Sequence, residues 1–337
     1  MLYSQSDRGV ICEVCERRCL IPAGRKGACG NYMNLNGRLK HIGYGDLSAV
    51  ESRPIELKPL FHYWPNSTAL TFSNWGCNFY CPWCQNDHIS FRWPSGKRKF
   101  SPEDLVERAL REGDEGMSAS FNEPTTNFDF IIDVFSLASK RGLYSMMVTN
   151  GYQTERAMRM LIDAGADGWS IDVKGCPSMA DRKVLPHINH EISFRNAKLA
   201  LEMGGHVEIV FLVVPKANDF EGCVDWLLDK HLSLLGPDVP LHINRYFPAH
   251  LWKEPPTPVK DLLSLAERAR KEGIKYVYVG NIGDPELEST KCPNCGKILI
   301  RRSWHRVTYF SLVYENGVHK CPRCGHRIYM RGRYIPK

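Results

Sequence analysis

Apolar residues along the chain recur with two different periods. Short runs of mostly apolar or β-branched residues predict buried strands at Ala69 to Ser73, Ser118 to Asn122, Tyr144 to Thr149, Gly168 to Val173, Val207 to Val214 and Pro240 to Tyr246. Between them apolar residues return every three or four positions. This predicts amphipathic helices over Pro102 to Glu112, Phe128 to Lys140, Thr154 to Ala164, Glu191 to Met203 and Val259 to Glu272. Ser101 stands where the first of these needs a cap, and Gly142, Gly165, Gly204-Gly205 and Gly273 stand where the other four stop.

Strand and helix in regular alternation make an α/β protein with a parallel sheet and helices outside it, here a partial (β/α)6-type barrel. The expected division is a cysteine-rich lobe with a proline-containing connector over residues 1–68, the barrel over 69–285 and a small basic unit over 286–337. In such folds chemistry gathers where strands end, so the strand exits are the places to search. The 337 residues are 43% hydrophobic and 24% charged, enough to bury a sizeable core without covalent staples. The first residues lack an apolar signal core, and the most apolar run, Ile209 to Val214, is far shorter than the roughly 20 residues that span a bilayer. The expectation is a cytoplasmic protein with no membrane partner.

Thirteen cysteines need another explanation than secretion. Eleven fall into three tight groups, Cys12, Cys15, Cys19 and Cys29, then Cys77, Cys81 and Cys84, then Cys292, Cys295, Cys321 and Cys324. Such spacings read as metal sites. Cys176 and Cys223 stand apart, the first expected to be a buried thiol near the barrel mouth and the second a core residue.

The central three follow the first predicted strand in the stretch Asn74-Trp75-Gly76-Cys77-Asn78-Phe79-Tyr80-Cys81-Pro82-Trp83-Cys84-Gln85-Asn86. Three thiolates from one loop can hold three irons of a 4Fe-4S cluster and leave the fourth open to a ligand. A zinc or ferredoxin site that borrows a fourth ligand elsewhere is the plainer alternative. In this spacing, and in the aromatic Trp83 before the last cysteine, the chain resembles the radical S-adenosylmethionine (SAM) superfamily. Pro54 to His62, Gly76-Cys77-Asn78, Cys84-Gln85-Asn86, Asn122-Glu123-Pro124-Thr125 and Asn150-Gly151-Tyr152 are similar to the branch called AmmeMemoRadiSam-system radical SAM enzymes, akin to pyruvate formate-lyase activating enzymes. The resemblance covers nearly the whole chain.

The resemblance implies that a reduced 4Fe-4S cluster cleaves SAM to methionine and a 5′-deoxyadenosyl radical, which abstracts hydrogen from a substrate, with an external one-electron reductant as partner. It implies SAM contacts at Asn122 or Glu123 after the second strand, at Thr149 and Asn150 after the third, at Asp172 and Lys174 after the fourth, and at His242. A carboxylate can accept from two ribose hydroxyls and an ammonium can neutralise a carboxylate, so the Asp172 and Lys174 pair suits the role. A plain ion pair, and a hydrogen-bonded core histidine, are the alternatives for Asp172 with Lys174 and for His242. No catalytic side chain is assigned beyond the cluster ligands.

Cys292-Pro-Asn-Cys295-Gly and Cys321-Pro-Arg-Cys324-Gly are two matching knuckles, as in a zinc ribbon with a structural zinc ion. For the first group, Cys12, Cys15, Cys19 and Cys29, spacing alone does not choose the metal: zinc is the expectation, because a small N-terminal lobe needs a staple, and a second iron-sulfur cluster that relays electrons is the alternative. Net charge is +7, but residues 291–337 hold eleven Lys or Arg against Glu315 alone, so +10 sits on the ribbon and −3 on the rest. Three substrate classes remain: a partner protein activated through a glycyl radical, RNA held by the basic ribbon, or a small molecule. A non-enzymatic nucleic-acid-binding module is the rival outside this chemistry, and the central cysteines argue against it.

Overall fold

The computed structural model describes every residue except 95, 97, 98, 181 and 182. Its centre is one eight-stranded sheet. The strands are β1 (Ala49–Pro54), β2 (Thr68–Ser73), β3 (Gly116–Ala119), β4 (Tyr144–Thr149), β5 (Ala166–Asp172), β6 (His206–Val213), β7 (Leu241–Arg245) and β8 (Val277–Gly280), lying side by side in chain order. From β2 to β8 every pairing is parallel, and β1 runs antiparallel to β2 at the edge. Parallel neighbours need crossovers, and helices α1 (Pro102–Glu112), α2 (Phe128–Lys140), α3 (Glu155–Asp163), α4 (Glu191–Glu202), α5 (Glu221–Leu235) and α6 (Val259–Glu272) supply them.

Local chemistry explains the boundaries. Ser101 accepts from the Asp104 N–H while the Asp104 carboxylate accepts from the Ser101 N–H, a reciprocal cap that opens α1. The Thr154 hydroxyl accepts from the Ala157 N–H and opens α3 in the same way. The β3 strand stops at Ala119, three residues before the predicted end at Asn122. The reason is Phe121, whose φ of 72° is a left-handed conformation that no strand contains. Between sheet and helices lies the main core, where Phe72, Phe130, Phe135, Trp169, Phe194 and Phe211 are almost fully buried.

An N-terminal lobe of short strands (Tyr3–Ser6, Gly9–Cys12, Leu20–Ile21) and a hairpin (Tyr32–Leu35 with Arg38–His41) packs on the loop after β4. The Glu16 N–H donates to the Tyr152 carbonyl at 3.0 Å, the Thr154 hydroxyl to the Glu13 carbonyl at 2.7 Å, and Arg195 pairs with Glu16 at 2.8 Å. At the other end, residues 290–328 form two three-stranded sheets.

This C-terminal unit is anchored by Arg302, which is fully buried. Its guanidinium donates to the Phe61 carbonyl at 2.5 Å and the Thr290 hydroxyl at 2.8 Å, and lies over the Phe61 ring. Beside it, Glu208 of β6 accepts four hydrogen bonds: from the Phe61 and His62 N–H groups at 3.0 and 2.7 Å, and from His206 and His242 at 2.9 and 2.7 Å. Tyr329, just beyond the last strand of the C-terminal unit, reaches the same wall, with its hydroxyl on the Val207 backbone and its ring stacked on His206.

Cys176 and Cys223 are both fully buried, as expected, but they do not stand apart as free thiols. They are joined in a disulfide, with Cα atoms 5.4 Å apart. The loop leaving β5 and the first turn of α5 meet there although 47 residues separate them, a juxtaposition that only the crossover topology creates. Bonded in this way, Cys176 carries no hydrogen to donate.

Four histidines are buried without charge. Burial holds His41 and His62 at about 3, and His190 and His231 at about 4, against an ordinary value of 6.5. Between pH 6.5 and these lowered values the unfolded chain binds more protons than the folded one, so stability falls as pH falls, by about 1.4 kcal/mol per pH unit for each histidine. The urea midpoint is expected to drop steeply between pH 7 and pH 5 and to stay flat from pH 7 to pH 8.

Candidate functional site

β2 ends at Ser73, and the chain turns through Gly76 into the cysteine loop at the C-terminal end of the sheet. Gly76 has φ of 79°, and a β-carbon there would stand 2.1 Å from the Cys29 carbonyl oxygen, so only glycine fits between the two segments. Cys81 is buried and Cys77 and Cys84 are half-buried, all three as free thiols. The loop is held by Asn122, whose amide donates to the Asn74 and Gly76 carbonyls at 2.9 and 2.7 Å, and by Asn86, whose amide donates to the Phe121 carbonyl.

A second segment covers it. The N–H groups of Leu251 and Trp252 both donate to the Pro82 carbonyl, and Trp83 meets Trp252 edge to face at 5.9 Å. Phe79, Cys81, Trp83, Tyr152, Val214 and Tyr246 thus belong to one apolar cluster above the sheet. Burial pushes the Cys81 thiol up to about 12 although Lys174 pulls it down, and burial with the Glu123 charge pushes Cys77 up as well. Free of metal, Cys77 and Cys81 keep their protons, and a metal must displace them.

Asp172 and Lys174 leave β5 on the same side and form an ion pair. Burial disfavours the Lys174 charge, but Asp172 and Cys81 outweigh it and hold its pKa above the ordinary value. One Asp172 oxygen, Oδ1, is buried with no hydrogen-bond partner, and so is Asn122 Oδ1. Three thiols, an adjacent ammonium and an orphaned carboxylate oxygen are a donor set that fits an iron-sulfur cluster together with an amino-acid ligand carrying a carboxylate and hydroxyls.

Glu123 is placed differently from these. It is 2% exposed, and its carboxylate accepts from the Thr125 N–H at 3.0 Å, the Thr125 hydroxyl at 2.5 Å, the Thr149 hydroxyl at 2.7 Å and the Asn150 N–H at 2.7 Å. It therefore ties the exits of β3 and β4 together. Asn150 in turn donates to Asn78 of the cysteine loop at 2.7 Å. His242 touches Glu208, Phe61 and Tyr278, none of them in the cysteine loop.

Lys58 received no role from the sequence, though it lies inside the motif Pro54 to His62. It is 4% exposed, its ammonium sits 4.8 Å from the Phe121 ring centre, and burial with the nearby Arg53 lowers its pKa to about 7. Only the fold, which brings residue 58 under residue 121, makes it visible.

The C-terminal cysteines form a separate site. The ligand atoms of Cys292, Cys295, Cys321 and Cys324 all lie within 4.8 Å of one another, and both knuckles close alike, with Gly296 and Gly325 N–H groups on the Cys292 and Cys321 carbonyls at 2.9 Å. Of the eleven basic residues from Lys291 onward, six are engaged within the protein: Lys291 and Arg301 with Glu286, Arg302 in the core, Lys320 with Glu315, Arg331 with Asp167 and Lys337 with Glu115. Among the described residues no helix is long and apolar enough to cross a membrane.

Comparison with known proteins agrees with this chemistry. An uncharacterized protein of Methanocaldococcus jannaschii is 36% identical over 97% of this chain and 98% of its own length. A second protein of that organism, named as a glycyl-radical enzyme activating enzyme, is 25% identical over 63% of this chain and 79% of its own. Among solved structures, SuiB of Streptococcus suis bound to S-adenosylmethionine aligns with TM-score 0.49 and 13% identity over 65% of this chain and 50% of that one. The family model described as the radical SAM superfamily matches residues 75–227, which span the cysteine loop, Asp172, Lys174 and Glu208. The chain belongs to the radical SAM superfamily.

Proposed function

We propose that this protein is a radical SAM enzyme of the glycyl-radical-activating type, a partial (β/α)-barrel flanked by the N-terminal lobe and a C-terminal zinc ribbon. One observation carries the reading: Cys77, Cys81 and Cys84 project from one loop at a strand exit, and Asp172 and Lys174 meet them there. Family membership implies a 4Fe-4S cluster and SAM, which together supply a 5′-deoxyadenosyl radical for hydrogen abstraction. The three thiolates would hold three irons. Lys174 would neutralise the SAM carboxylate, and the unpartnered Oδ1 of Asp172 would accept from the ribose. Thr149 and Asn150, positioned by Glu123, and Asn122 line the same exits, while Trp83 and Trp252 would keep water from the site when SAM is bound. His242, held by Glu208, serves the wall of the barrel.

The similarity to a protein named as an activating enzyme favours a protein substrate. The pairing of Lys291, Arg301, Lys320, Arg331 and Lys337 with acids turns the reading away from RNA. For the ribbon, four sulfurs within 4.8 Å suit one zinc ion.

Asp172→Ala tests the SAM contact. It removes charge-assisted hydrogen bonds worth about 1 to 3 kcal/mol, so SAM affinity is expected to fall roughly 5- to 150-fold with the cluster still assembled. Unchanged affinity with a lowered unfolding temperature would reduce Asp172 and Lys174 to a structural ion pair.

A further inference from the structure

We propose that Cys12, Cys15, Cys19 and Cys29 hold a second iron-sulfur cluster rather than zinc, and that it passes single electrons to the cluster on Cys77, Cys81 and Cys84. The relay, though not the second cluster, rests on the function proposed above.

Sulfur spacing separates the two kinds of site. Four thiolates on one zinc, each about 2.3 Å from it, must stand about 3.8 Å apart. The C-terminal cysteines meet this, with Cys292 to Cys324 at 3.6 Å and Cys295 to Cys321 at 3.7 Å. Theirs is the one group among the described residues in which three or more ligand atoms all lie within 4.8 Å of one another. The four N-terminal cysteines line one common cavity, yet no three of their sulfurs reach that spacing. The same is true of Cys77, Cys81 and Cys84. Sulfurs that surround one space but stand too far apart for one ion suit a core of several metal atoms.

The surroundings are those of an anionic cluster. The backbone at Val14, at Arg17, and at Asn31 with Tyr32 favours the charged form of the Cys12, Cys15 and Cys29 thiols respectively, against the burial that disfavours it. Asn78, which is 1% exposed, lines the same cavity, and its amide nitrogen has no hydrogen-bond partner. Hydrogen bonds to cluster sulfur are a main means of setting its potential.

Asn78 also marks the connection between the sites, because it follows Cys77 in the chain. On the other side of Cys77, Gly76 lies against the Cys29 carbonyl, so closely that no β-carbon fits. The Asn31 amide bridges the Cys29 and Trp75 carbonyls at 3.3 and 2.7 Å, and the Tyr80 hydroxyl donates to the Ala28 carbonyl at 3.2 Å. A ligand residue of one site is thus one packing contact and one peptide bond from a ligand residue of the other. In the relay the second cluster gives up one electron and the first gains it. An external one-electron reductant then restores the second.

The test uses the full chain prepared without oxygen, with iron, sulfide and zinc counted per chain and electron paramagnetic resonance recorded after dithionite. The Cys77→Ala/Cys81→Ala/Cys84→Ala variant is expected to keep about two or four irons with matching sulfide, a reduced-cluster signal indifferent to SAM, and one zinc. Two zincs and no iron, or one zinc and nothing at the N-terminal cysteines, would overturn the proposal. Cys15→Ala/Cys29→Ala is expected to lose those irons only, to retain the SAM-responsive signal, and to reduce the remaining cluster more slowly. An undiminished rate would remove the relay. If a variant loses its C-terminal zinc too it has misfolded, and Cys19→Ser with the same counts decides instead. Were no signal in the native protein to respond to SAM, the proposed function would fail while the metal counts still judged the second cluster.

Discussion

Cys81→Ala is expected to abolish reductive SAM cleavage outright while the zinc content stays at that of the native protein. Cys81 is the most buried of the three loop thiols and the one nearest Lys174 and Asp172 in electrostatic terms, so its loss removes an iron ligand at the point where SAM would bind. The C-terminal knuckles have their own sheets and their own cysteines, and nothing in them depends on the loop. Quantifying 5′-deoxyadenosine after dithionite reduction, alongside metal analysis, checks both halves. Cleavage at the native level would remove the loop from the chemistry.

Glu208→Ala is expected to be the most destabilising single substitution in the sheet, by about 3 to 5 kcal/mol, because it strands two backbone N–H groups and two imidazoles in a buried wall. Glu208→Gln, which keeps an acceptor, should cost less. Burial raises the Glu208 pKa, but the hydrogen bonds from His206 and His242 outweigh it and hold the carboxyl below its ordinary 4.5. Its contribution is therefore complete above pH 4.5 and is lost as pH falls through the lower folded value, so the native and Glu208→Ala stabilities should converge in strong acid. Denaturant midpoints at pH 7 and in strong acid, well below the ordinary 4.5, measure this, and equal midpoints at pH 7 would contradict it.

Most of the parallel core was legible in the sequence, since a strand buried on both faces is a continuous apolar run and its crossover helix is amphipathic. Tyr144 to Thr149 was predicted to the residue and the helix beginning at Pro102 by its Ser101 cap. β1 escaped notice because an edge strand tolerates Glu51, Arg53 and Pro54, which disguise it as a connector. β8, only four residues long, sat below the length at which a run stands out. The site divides along the same line. Cysteine spacing names metal ligands directly, whereas the distinction between Glu123 as a tie and Asp172 as a free acceptor depends on which hydrogen bonds are already taken. The Cys176 to Cys223 bond and the burial of Lys58 had no local signal at all, because each joins segments that meet only after the sheet has formed.

The wall around Glu208 has a bearing on how the chain is made. Its members are Phe61 and His62 from before the second strand, His206 and His242 from the sixth and seventh, and, closing it, Arg302 and Tyr329. Synthesis releases these in order at about 5 to 20 residues per second. The parallel sheet can therefore pair while the ribosome still holds the chain, but its floor stays open to water until residues beyond 300 emerge. The loop of Cys77, Cys81 and Cys84 and the floor of the sheet are thus completed at different times, and the three thiols leave the ribosome well before the segment at Leu251 and Trp252 that covers them.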